Sequence, residues 1–281
     1  MKHFRYALQV VLGLIIVFTF NSVTNAQQKK YTLAVVPQAR PVEIFEKWTP
    51  FVKRLSLELG AEIEILSYNS IAQFEAALAS GVPDFAYMNP YHAVMAKASQ
   101  GYIPLVRDTT PLIGILAVRK GGKINTVKDL NGKEIAFPAP NAFAASLYMR
   151  ALLTEHEKIS FTPQYVKTHS NVYRTVAFDK APAGGGVMRT LDKEPNDIKN
   201  HLTVLYETPG TPSHPISAHP RIPESVRKKM TQAILSLAGD PANKTMLTNI
   251  QIPEPVAADY QKDYLPLKKL GLEKFVGKEM E

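Results

Sequence analysis

The sequence predicts an α/β chain in two lobes joined by two crossings, with mixed, mainly parallel sheets and helices on their faces. Three observations predict it. Short apolar runs alternate with helical periodicity from residue 31 onward, the β-α-β pattern of a parallel sheet. The pattern breaks at Gly121-Gly122 and then restarts, which divides the chain. A stretch holding Pro209, Pro212, Pro215, Pro220 and Pro223 then stiffens a return to the first half.

The opening residues read as an export signal. Lys2 and Arg5 precede an apolar run over 6–20, and Thr24-Asn25-Ala26 offers a small-residue cleavage site. The run is shorter than the roughly 20 residues of a membrane span, so 1–26 is assigned as a signal peptide and the mature chain as an exported, soluble one. There is no cysteine, which excludes disulfides, thiolate metal sites, a cysteine nucleophile and a lipid-anchored cysteine. Of 33 basic residues the signal holds two and no acid, leaving 31 against 25 acidic residues. That excess suits an anionic ligand. It forms no long basic stripe, so no nucleic-acid partner is expected; nor is any cofactor or obligatory oligomer.

The elements follow in order. A strand at 31–36 leads into the loop Pro37-Gln38-Ala39-Arg40-Pro41. Trp48, Phe51, Val52, Leu55 and Leu59 mark a helical face stopped by Gly60. A strand at 63–66 is followed by Ser70 and Gln73, spaced as a capping box, and by a helix through Ile71, Phe74 and Leu78. A third strand at 84–88 precedes a helix opened by Tyr91. A long strand at 112–119 ends the first lobe, with the crossing at 118–123. The second lobe continues through Val127-Lys-Asp-Leu-Asn-Gly132-Lys, a strand at 135–137, a helix from Asn141, a strand near Tyr165, a helix through Val172, and a strand at 202–206. The return crossing is placed near Pro212, and a helix through Val226, Met230, Ile234 and Leu237 rejoins the first lobe. The expected division is 27–118 and 213–281 for lobe 1, with 119–212 for lobe 2.

Three strand-to-helix junctions carry the functional signal: Phe85-Ala-Tyr87-Met-Asn89-Pro-Tyr91-His92, Ile135-Ala-Phe-Pro-Ala-Pro-Asn141-Ala142-Phe143-Ala144, and Tyr165-Val-Lys-Thr-His169-Ser170-Asn-Val172. Ligands of such sheets sit beyond the carboxyl ends of the strands. The first N–H groups of a helix lack internal partners and carry the positive end of its dipole, so converging helix starts form an anion site. Tyr87, Asn89, Tyr91, Asn141 to Ala144, His169 and Ser170 are therefore the candidate ligand residues, with Arg40 from the first exit loop and His214 from the return crossing. Plainer roles remain open for each: a strand-end aromatic for Tyr87, helix caps for Asn89 and Asn141, a solvated arginine for Arg40. Gly184-Gly185-Gly186 reads either as close packing or as a nest of amides around the anion.

No zinc-hydrolase His-Glu-x-x-His, Gly-x-Ser-x-Gly elbow or Walker loop occurs, so an enzyme is not expected. Tyr87, Tyr91, His92 and His169 could instead ligate a ferric ion. A ligand sensor for a membrane signalling system would use the same fold.

The chain resembles the phosphate/phosphite/phosphonate substrate-binding proteins of ABC transporters. The marks are Trp48-Thr-Pro50-Phe51, Ala86-Tyr87-Met-Asn89, Val127-Lys-Asp-Leu-Asn-Gly132-Lys, Pro140-Asn141, Thr168-His169 and Pro212-Ser-His214-Pro215-Ile216. The resemblance implies a type II periplasmic binding protein fold, closure of two lobes on a phosphorus oxyanion, and a membrane permease as partner. It implies a ligand role for Tyr87, Asn141 and His169. Ala142, Phe143 and Ala144 stand where the family carries hydroxyls, and His214 stands where it carries a carboxylate. Without that acid an ammonium tail lacks its partner. The departures thus favour phosphate, phosphite or a small alkyl phosphonate over an aminoalkyl phosphonate.

Overall fold

A computed structural model describes residues 29–277, and the expected signal segment 1–26 lies outside them. No helix among the described residues is long and apolar enough to cross a membrane.

The first lobe starts with β1 (Lys30–Val35), α1 (Pro41–Leu59), β2 (Glu62–Ser67), α2 (Ile71–Ala79), β3 (Phe85–Tyr87), α3 (Pro90–Gln100) and β4 (Ile103–Asp108). Helix α1 begins on Pro41, whose missing N–H costs nothing at a first turn, and stops at Gly60 with φ of 64°. Its apolar face buries Ile44, Trp48, Phe51, Val52 and Leu55. Ser70 caps α2 by accepting from Gln73 N at 3.2 Å, while the Gln73 side chain reaches back to Asn69 N rather than to Ser70.

The second lobe holds β5 (Gly114–Arg119), β6 (Lys133–Phe137), a π-turn at Phe143–Leu147 running into α4 (Tyr148–Glu155), β7 (Phe161–Tyr165), α5 (His169–Ala177), β8 (Ala183–Val187), α6 (Met188–Asp192), α7 (Asn196–Lys199) and β9 (Leu202–Glu207). The chain returns through β10 (Ile216–Ala218), α8 (Glu224–Leu237), α9 (Lys244–Asn249) and β11 (Pro255–Ala257). The sheets run β11-β4-β10-β3-β1-β2 and β7-β6-β8-β5-β9. Both are mixed, with less parallel pairing than the sequence suggests. Strands β5 and β10, each the first after a crossing, run antiparallel to both of their neighbours.

The first crossing differs from expectation. Strand β5 belongs to the second sheet, so the chain changes lobes at 109–113, before residue 118. The cause is β4, which the sequence reading passes over. Its Pro104 and its charged end, Arg107-Asp108, disguise a strand paired on both sides by β10 and β11. The return passes at 208–215, and the two crossings pair with each other through Leu112 and Thr211. Asp108, fully buried at the first crossing, accepts from Thr110 N and Glu254 N at 2.9 Å each. The C-terminal end also departs from a pure lobe 1 assignment. Arg150 of α4 donates to Phe275 O at 2.7 Å, and Gly277 and Asn141 exchange two hydrogen bonds of 3.0 Å.

Strand β8 settles the glycine run. It is a central strand between β6 and β5, and its glycines are demanded by packing. A Cβ on Gly184 would lie 2.4 Å from Val172, and one on Gly186 2.3 Å from the Tyr173 hydroxyl. A Cβ on Gly185 would lie 2.1 Å from Ala145 O, and one on Gly114 2.2 Å from Ala144 O. The run is therefore no nest: it lets the π-turn lie flat on the sheet. Gly185→Ala should destabilise the protein by about 1–3 kcal/mol through overpacking. Urea unfolding checks this, and an unchanged midpoint would contradict the packing argument.

Candidate functional site

The site is assembled at the ends of strands β1, β3, β6 and β7, where the lobes face each other. From the second lobe comes the turn after β6. No carbonyl or side chain among the described residues accepts from the N–H groups of Phe143, Ala144 or Ala145, because the π-turn starts there without a cap. These residues line an inner pocket of about 20 Å³, together with Asn89, His169, His214 and Gln38. That volume suits one water, so a tetrahedral oxyanion enters only when the lobes part and close again around it.

The next helix start is α5. Thr168 accepts from Asn171 N at 3.1 Å, leaving the N–H groups of His169 and Ser170 free and pointing from a helix start. Lys167, just before, has φ of 76° and closes a tight turn in which Thr168 N donates to Val166 O at 3.0 Å. A lysine in this left-handed region costs about 1–2 kcal/mol, a strain typical of ligand sites. The His169 ring is buried, and its Nδ1 has no hydrogen-bond partner. Burial pushes its pKa down to about 4. Desolvation with no charged partner beside it thus favours the neutral ring.

Three groups come from the first lobe and the crossings. Asn89 caps α3, its Oδ1 accepting from His92 N at 2.7 Å, and its Nδ2 donates across the cleft to Asn141 O at 3.2 Å. Tyr87 is buried between Trp48, at 4.8 Å between ring centres, and the stacked ring of His214 at 5.3 Å. Gln251 Nε2 donates to Gln38 Oε1 at 3.0 Å, which orients Gln38 Nε2 toward His214 Nε2 at 2.9 Å. His214 therefore accepts there. Its pKa lies well below the usual histidine range, first through burial and then through the charge of Arg189.

The inner pocket opens into an outer chamber of about 760 Å³ between the lobes. His169, Gln38 and Lys167 line both spaces. Tyr87, Ser170 and Arg40 line the chamber.

Comparison with known proteins settles the family. A family model described as "ABC transporter, phosphonate, periplasmic substrate-binding protein" matches residues 33–264. The chain belongs to this family. A phosphate-import protein PhnD of Mycolicibacterium smegmatis is 26% identical over 180 residues, covering 58% of this chain and 56% of that protein, so the match spans just over half of the relative's length. The structure of PhnD1 from Prochlorococcus marinus with methylphosphonate superposes with a TM-score of 0.78 at 16% identity, over 86% of this chain and 97% of the other. A binding-protein component of an ABC phosphonate transporter from Pseudomonas aeruginosa gives 0.77 at 14% identity, over 90% and 91%. These likenesses establish the type II periplasmic binding protein fold.

Within this fold the sequence-predicted residues divide. Asn89, Ala142, Phe143, Ala144, His169 and His214 meet at the inner pocket. Asn141 does not cap a helix, and neither pocket is lined by it. Its Nδ2 donates to Glu75 Oε2 at 2.9 Å and to Gly277 O at 3.0 Å, so it ties the lobes together. Tyr91 also stands apart. It is buried, stacks on Phe143 at 6.2 Å, and its hydroxyl is pushed up to about 12, first by burial and then by the charge of Glu273. Arg40 is exposed and engaged by Glu43 at 2.6 Å. The Ser170 hydroxyl donates to Glu194. The geometry does not favour the ferric reading: Tyr87 and His169 line the chamber, but Tyr91 and His92 line neither space, and His92 is engaged by Glu75 at 2.9 Å. No cluster of three or more histidines and carboxylates that could hold a metal occurs among the described residues. The sequence reading missed Gln38, Glu75 and Lys167. Only the left-handed turn at Lys167 lacked any signal in residue type.

The neutral, buried His169 makes a pH prediction. Its folded pKa of about 4 lies below the usual value of 6.5, so the unfolded chain binds the extra proton between them. Stability is complete above the upper value and is lost as pH falls toward the lower; His214 acts in the same direction. Urea midpoints measured from neutral to mildly acid pH should fall, and His169→Gln should flatten that slope. An identical slope in the variant would mean that His169 is already charged in the folded protein.

Proposed function

We propose that the protein is the periplasmic solute-binding component of an ABC importer that captures a small phosphorus oxyanion: phosphate, phosphite or a small alkyl phosphonate. The observation that carries this is the set of free N–H groups at Phe143, Ala144 and Ala145, which line one pocket with His169, whose Nδ1 is unpartnered. A buried anion is tolerated only where its oxygens are paired, and preorganised amides do this without a counter-charge. Family membership supports the transport role, and the methylphosphonate bound by the Prochlorococcus relative supports the ligand class.

The sequence of events follows from the geometry. The open lobes admit the anion to the amides of the second lobe and to His169. Closure brings Asn89 of the first lobe against it, with Tyr87 lining the chamber just outside. A dianion raises the proton affinity of His169, so the ring is drawn toward its charged, donating form on binding. The closed state is what a membrane permease recognises, because the ligand favours that state over the open one. An ammonium tail finds no carboxylate where His214 stands, which disfavours aminoalkyl phosphonates.

Titration calorimetry with phosphate, phosphite and methylphosphonate tests the reading. At least one should bind with measurable heat, and His169→Ala should weaken it at least tenfold, about 1.4 kcal/mol. Silence from all three, in protein that melts cooperatively, would overturn it.

A further inference from the structure

The outer chamber is far larger than any bare oxyanion needs, and its charges do not cancel. Arg40 is taken by Glu43 at 2.6 Å, and Arg174 stands 4.0 Å from Glu194, whose other oxygen accepts from Ser170. Those two acids are thereby used. Lys47 of α1, Lys167 before α5 and Lys193 after α6 also line the chamber. Among the described residues no hydrogen bond or ion pair holds Lys47 or Lys167, and Lys193 reaches only Thr248 O at 3.5 Å. Lys47 and Lys193 come from opposite lobes, so closure drives like charges together. The ammonium of Lys193 is pushed down, first by desolvation and then by the charges of Lys47 and Arg189. Such an arrangement costs free energy unless an anion lies between the lobes. The chamber meets the inner pocket at His169, whose buried Nδ1 is unpartnered.

We propose that the chamber also seats a second anionic group, so that the same phosphorus site binds an extended solute carrying a distal anion more tightly than a small oxyanion. This rests on the phosphorus-binding role proposed above. The phosphorus group occupies the free amides and His169; the organic body crosses beside Trp48 and Tyr87; the distal carboxylate or phosphate is clasped by Lys47 and Lys193. The clasp uses both lobes, so an extended ligand stabilises closure more than a short one does.

Calorimetric titration at low salt with methylphosphonate, 3-phosphoglycerate and fructose 1,6-bisphosphate tests it. At least one of the two extended anions should bind about tenfold or more tighter than methylphosphonate. The double variant Lys47→Ala/Lys193→Ala should erase that preference, while keeping methylphosphonate affinity within about twofold and the melting temperature unchanged. The proposal is overturned if both extended anions bind no tighter than methylphosphonate, or if the preference survives in the double variant. If methylphosphonate and phosphate are silent as well, the phosphorus-binding role itself fails, and that outcome is recognisable by the absence of any binding heat.

Discussion

A helix start can serve an anion only if its amides are bare and firmly held, and here the sheet beneath supplies that condition. The carbonyls of Ala144 and Ala145 descend onto β5 and β8 where Gly114 and Gly185 leave no side chain in the way. The turn is thereby pressed flat, and its N–H groups face the cleft instead of the sheet. As at any helix start, Phe143, Ala144 and Ala145 are left without internal acceptors; the first bonds are those from Ser146 N and Leu147 N to Ala142 O. The shape of the turn is thus set by the strands beneath it, and β8 also reaches the inner pocket through Val187.

The second constraint is how the lobes meet. They close on polar links between Asn89, Asn141 and Glu75, and on a wedge in which the Phe143 ring lies between Tyr91 and Tyr148 at 6.2 and 5.9 Å. The wedge gives a physical reason for a phenylalanine where a hydroxyl residue would be expected. Its amide faces the pocket and its ring serves the interface. The C-terminal end adds a strap through Gly277 and Phe275, so closure is supported at a point remote from the two crossings. Polar contacts of this kind are worth about 1 kcal/mol each and break readily, which suits lobes that must also open.

Much of this was legible in the residues. Periodicity placed α1, α2, α3 and α8 closely, because each has an apolar face; α1, α2 and α3 also carry a Gly, Ser or Asn at an end, and α8 starts directly after Pro223. The junction argument found the turn at 142–144 and the start of α5, since strand ends and helix starts follow local rules. What escaped was long-range. Strand β4 is stabilised by partners more than 100 residues away, and without it the first crossing was placed too late. Asn141 reads locally as a cap, yet its side chain is claimed by Glu75 and Gly277. The glycine run shows the same limit: a nest and a packing gap share one composition, and only the neighbours, Tyr173 and Ala145, decide between them.

The central claim is that the ligand is held by the backbone of the π-turn. Amide nitrogen and proton shifts of Phe143, Ala144 and Ala145, followed by nuclear magnetic resonance as methylphosphonate is added, test it most directly. The account predicts that these three amides, with that of His169, show the largest downfield proton shifts in the protein, as fresh acceptors arrive. If the ligand binds and these signals stay where they were while others move, the oxyanion is held elsewhere and the account is wrong.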